Sequence, residues 1–92
     1  MGRDEAETVA LKALGWILDA DDERSTFLYA SGLGPDDLMR RAGEAELLLA
    51  VMDFLLAEDR RVIAFCDATG LRYEALAAVR QALPGGADPH WT

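Results

Sequence analysis

The chain carries one helical unit twice: Gly32-Leu33 returns as Gly70-Leu71, 38 residues later. At that offset Leu11 falls on Leu49, Leu18 on Leu56, Asp21 on Asp59, Phe27 on Phe65, Ala30 on Ala68 and Leu38 on Leu76. Trp16-Ile17 falls on Phe54-Leu55, and Ser31 on Thr69. Agreement at apolar and turn positions, with free variation between them, is what a duplicated supersecondary unit leaves behind when packing is the constraint. No chemistry is repeated, so the duplication speaks for the fold and not for an activity.

Ala6, Val9, Ala10, Ala13, Leu14, Ile17 and Leu18 recur at three- and four-residue steps and predict a first helix to about Ala20, with Trp16 broadening its apolar face. Asp21 is placed to cap the second helix with its carboxylate, and Asp22-Glu23 suit a first turn where the helix dipole is positive. That helix carries Phe27 and Ala30 and stops at Gly32, beyond which Leu33 can fold back on Leu28 in a Schellman-type contact. Pro35 starts a short third helix at its first position, followed by Asp36, Asp37, Leu38, Met39 and Ala42. After Gly43, Leu47 to Met52 and Phe54 to Leu56 are apolar around most of a helix, which makes the fourth helix central. Asp59 repeats the cap, Val62, Ile63, Phe65 and Cys66 supply the inward face of the fifth helix, and Gly70-Leu71 ends it. The sixth runs from about Tyr73 to Leu83 with Leu76, Ala77 and Leu83 inward, and Pro84-Gly85-Gly86 stops it. No stretch alternates apolar and polar residues as a half-buried strand does. The expected fold is all-α: a single domain over residues 1–86, built as a compact bundle of about six helices. It comprises two tandem three-helix units, about 6–43 and 44–83, with a pseudo-two-fold resemblance, and residues 87–92 are expected to be a flexible tail.

With 92 residues the chain can bury roughly two-thirds of the surface its unfolded form exposes, so it needs no staples. Its one cysteine, Cys66, excludes an internal disulfide framework and a cysteine zinc site. No apolar run approaches the roughly 20 residues of a membrane span, and the first residues lack the basic and apolar regions of a secretory signal. A cytoplasmic protein is the default expectation. The net charge of −8, with a single lysine, Lys12, argues against nucleic acid and anionic membrane as partners, because phosphate binding draws its affinity from Lys and Arg.

Each candidate site has a plainer structural explanation. Phe27 to Leu38 and its echo from Phe65 to Leu76 look superficially like a helix-turn-helix. Their second helices, however, open with Asp36-Asp37 and Glu74, carboxylates that would face phosphate. Asp19, Asp21, Asp22 and Glu23 lack the alternate spacing, the glycine and the distant glutamate of a calcium loop, and capping accounts for them better. Cys66 reads as a core residue with no activating base nearby, and the tail histidine His90 as inert. No serine, threonine or cysteine comes with a base and an orienting acid, so no enzyme activity and no cofactor are expected. Arg40-Arg41 and Arg60-Arg61 most simply form exposed ion pairs with neighbours such as Asp36, Asp37, Glu44 or Glu58. If they instead flank an apolar groove, they could orient an acidic partner. The aromatic and flexible side chains Trp16, Tyr29, Met39 and Tyr73 can serve either core or interface, with core the expected role of Trp16.

The segments Ala13-Leu14-Gly15-Trp16-Ile17-Leu18, Phe27 to Leu33, Val51-Met52-Asp53-Phe54-Leu55-Leu56, Thr69-Gly70-Leu71 and Ala82-Leu83-Pro84-Gly85-Gly86 together resemble a family of short bacterial proteins, domain-of-unknown-function family 3572. The resemblance covers nearly the whole chain from Ala6 to Gly86. It implies a small helical protein and carries over no catalytic or binding residue. The expected function is a non-enzymatic interaction module that presents Tyr29, Met39, Arg40, Arg41, Arg60, Arg61 and Tyr73 to another protein or to a second copy of itself. The alternative is a small-molecule or lipid-binding bundle with its pocket between helices one and four.

Overall fold

Six helices follow one another: α1 (Arg3–Asp19), α2 (Asp21–Ser31), α3 (Pro35–Arg41), α4 (Ala45–Leu56), α5 (Asp59–Thr69) and α6 (Tyr73–Ala82). The computed structural model describes residues 1–86, and among them there is no strand. Residues 87–92, with the tail expectation and His90, lie outside the described residues.

The helix with the broadest apolar surface takes the middle. Leu47, Leu48, Val51, Met52 and Leu55 of α4 are buried, and Leu49, Phe54 and Leu56 are half-buried against the same core. Its most extensive contact is with α1, whose Ala6, Ala10 and Ala13 are fully buried, small side chains of the kind that let helices approach closely. α2 packs on α1 and α5 on α4, and α6 closes over α1, α4 and α5. Phe27, Phe65, Ile17, Leu38, Leu76 and Leu83 complete one continuous core. The all-α class and the helix bounds are thus as the periodicity predicts, within a residue or two.

At the repeat offset of 38 residues, α2 and α5 agree closely: each is 11 residues long, and their bounds coincide. Each ends on a glycine in the left-handed region, Gly32 at φ 73° and Gly70 at φ 76°. The expected Schellman contact is replaced by the simpler single-bond ending: the Gly32 N–H donates to the Leu28 carbonyl and the Gly70 N–H to that of Cys66. The next amide, of Leu33 or Leu71, donates instead to the hydroxyl of Ser31 or Thr69, at 3.3 Å in both. The third helices do not correspond: α6 packs on three neighbours, whereas α3 buries Leu38 alone and makes no comparable contact.

Several local expectations are corrected. Asp21 and Asp59 are the first helical residues, so the cap positions fall to Ala20 and Glu58, and neither helix has a side-chain cap. Asp21 instead accepts a hydrogen bond from Arg24 at 2.8 Å. The inward face of α5 is Arg61, Val62 and Phe65, which leaves Ile63 49% exposed and Cys66 half-buried. In α6 the inward pair is Leu76 and Val79, and Ala77 faces solvent. Val62 and Phe65 in α5, and Leu76 and Leu83 at α6, are inward as expected, and the buried stripe of each helix is displaced by less than the roughly 100° that separates successive residues.

Candidate functional site

The arginine pairs behave differently from one another. Arg40 bonds Asp37, and Arg41 bonds Glu44 at 2.9 Å, the exposed neighbour pairs expected of them. Arg60 and Arg61 reach across the fold to α2. The Arg61 Nε donates to Glu23 Oε2 at 2.9 Å, and the Arg60 Nη1 lies 3.5 Å from the same oxygen. Arg61 is only 7% exposed and Glu23 8%, so this pair is buried, contrary to the solvated face expected of Arg61; Glu23 does lie in the first turn of α2, as expected, but is also engaged across the fold. The guanidinium carbon of Arg61 stacks 3.9 Å from the Phe54 ring centroid, and its Nη1 donates to the Phe54 carbonyl at 3.2 Å. A desolvated charge is tolerable in a core only when paired and hydrogen-bonded in this way. One signal in the sequence points to the pair: an acid and a base stand 38 residues apart, the offset of the repeat.

Two aromatic edge contacts flank it, Trp16 with Phe65 and Phe27 with Phe54. Trp16 is therefore a packing residue, half-buried against the core as expected. Tyr29 is 92% exposed on α2, Met39 75% on α3 and Tyr73 49% at the start of α6. These three belong to separate helices. Besides larger hollows around residues 70–75 and around Asp22 and Arg60, an apolar cleft lies between α2 and α4. It measures about 320 Å³ and is lined by Phe27, Ala30, Ser31, Ala50, Asp53 and Phe54. At Ser31 and Ala50 it continues into a smaller hollow of about 150 Å³ that reaches Leu33 and Leu47, with Arg41 and Glu46 at its margin. Tyr29 projects from the far side of α2, two residues and about 200° from Phe27. The α1–α4 seam assigned to a ligand pocket is filled by buried side chains.

Asp53 at the cleft margin is held by Arg80, whose Nε donates to Oδ1 at 2.7 Å and whose Nη1 donates to the Gly86 carbonyl at 2.8 Å. The bond to Asp53 raises the guanidinium pKa above its already high ordinary value, so Arg80 stays charged. On α5, burial raises the Cys66 thiol pKa, and the carboxylates of Asp67 and Glu74 raise it further, which disfavours the thiolate a nucleophile needs.

No helix among the described residues is long and apolar enough to cross a membrane. No curated protein and no solved structure matches the chain. A family model does, that of "Protein of unknown function (DUF3572)", over residues 3–86, from the first turn of α1 to the glycine that Arg80 holds. The chain belongs to the DUF3572 family.

Proposed function

We propose that this protein is a non-enzymatic helical interaction module that receives an apolar anchor of another protein in the cleft between α2 and α4. The observation that carries this reading is the lining of the cleft, two phenylalanine rings and two alanines beneath a margin of Ser31 and Asp53. Apolar walls with a few polar groups at the edge are the usual make-up of a binding hollow. Arg41, Arg61 and Arg80 are engaged within the fold and the net charge is −8, which favours a partner with basic residues around its anchor.

A photo-crosslinking residue at Ser31, inside the cleft, and another at Tyr29, on the opposite side of α2, test this in living cells. A protein adduct of defined mass is expected from position 31 and not from position 29. It should disappear when Ala50→Trp fills the cleft while the unfolding midpoint stays unchanged. Equal labelling from both positions, or an adduct indifferent to Ala50→Trp, overturns the reading. A constant small-molecule mass in the native mass spectrum of the purified chain, lost in Ala50→Trp, would transfer the cleft to a ligand.

A further inference from the structure

The buried ion pair joins residues whose separation, 38, is the period of the repeat, so Glu23 and Arg61 are each other's counterparts. Contact between counterparts fits a two-fold axis passing between them, and reciprocal contact, in which i meets the counterpart of j and j the counterpart of i, is the mark of such an axis. The aromatic contacts obey the same operation. The repeat carries Trp16 onto Phe54 and Phe65 onto Phe27, so the Trp16–Phe65 contact, at 5.8 Å and 72°, becomes the Phe27–Phe54 contact, at 5.2 Å and 69°. α1 and α4, counterparts as well, form the most extensive helix pair of the fold.

We infer that the chain is an intramolecular dimer at its centre: the helix pairs α1–α2 and α4–α5, the cores of the first and second units, meet across a local two-fold interface that fits unlike units only, from one chain or from a second copy of it. The selectivity resides in positions 23 and 61. Two first units meeting in this way would oppose glutamate to glutamate on the axis, and two second units arginine to arginine, in both cases shielded from water. Like charges buried face to face are a strong device against wrong pairing, and a buried polar pair that fixes register is the best-attested role for such groups. The connection between units can open. α3 buries only Leu38, so releasing residues 33–44 gives a strand of roughly 40 Å, against a longest molecular dimension of 37 Å.

The test uses two full-length variants, Glu23→Arg and Arg61→Glu, made with different isotopic mass. Each alone opposes like charges on the axis. In an exchanged heterodimer both interfaces are matched, Arg against Glu at one and the native Glu23–Arg61 pair at the other. The two are unfolded in denaturant, mixed one to one and refolded together, and the products are read by native mass spectrometry and thermal unfolding. The heterodimer is expected to exceed either homodimer by about 10⁴-fold in stability constant, two pairs at roughly 10²-fold each, and to melt above both separate variants. The experiment reads out even if neither variant folds alone, because the heterodimer is then the sole folded species. Monomers only, a statistical mixture of dimers, or no folded product would overturn the inference.

Discussion

Arg61→Met removes the charge while retaining most of the stem that packs in the core. Glu23, 8% exposed, then keeps a carboxylate without its 2.9 Å partner, and Phe54 loses both the stacked cation and the bond to its carbonyl. Breaking a buried pair from one side costs about 3–5 kcal/mol. Arg60, 3.5 Å from the same oxygen and 66% exposed at its side chain, can swing partly into the gap, which places the loss near the lower end, about 3 kcal/mol. A domain of this size has roughly 4–13 kcal/mol in all, so the variant should remain folded but melt some 12–24 °C lower. Replacing both partners, Glu23→Leu with Arg61→Met, removes the desolvation penalty with the charges and should return stability to within about 1 kcal/mol of the native chain. Urea unfolding followed by helical circular dichroism measures both, with a midpoint shift of about 2–3 M expected for the single variant. A single-variant loss below about 1 kcal/mol would show that water reaches the pair in solution. A double variant as unstable as the single one would show that the pair itself contributes the stability, and the account by desolvation would fail.

Two further outcomes follow from the geometry. Gly32 and Gly70 adopt positive φ with open space where a side chain would project, so Gly→Ala at either should cost about 1 kcal/mol by urea unfolding, whereas D-alanine, which prefers that conformation, should stabilise the synthetic chain. Equal effects of the two enantiomers would contradict the left-handed endings. Cys66 keeps its proton to higher pH in the folded chain than in the unfolded one, where a thiol titrates near 8.5. Its contribution to stability is thus fully present below that pH and is lost as pH rises through the folded value. Stability should fall on the alkaline side in the native chain and fall less in Cys66→Ser. Alkylation at pH 8 should be slower than for an unfolded control and faster in Asp67→Asn; no change in Asp67→Asn would remove the carboxylate from the cause.

The sequence by itself determined the helices. The three- and four-residue apolar steps of α1 and α4, Pro35 at the start of α3 and the glycines after α2 and α5 act over one or two turns, so their effect can be read without knowing what lies across the core. The DUF3572 resemblance was likewise legible, because it rests on ordered local segments. Which face of a helix turns inward was legible only where apolar residues were plentiful. In α5 the count favoured Ile63 and Cys66, yet Arg61 lies inward because Glu23, a whole unit away, meets it there. The cleft is not legible in the sequence for the same reason: Phe27 and Phe54 lie far apart along the chain and form a wall only once α2 and α4 have packed. Helix periodicity is a property of neighbours along the chain, whereas the desolvation of a charge and the shape of a hollow depend on groups brought together from far along it, and only the tertiary structure decided those.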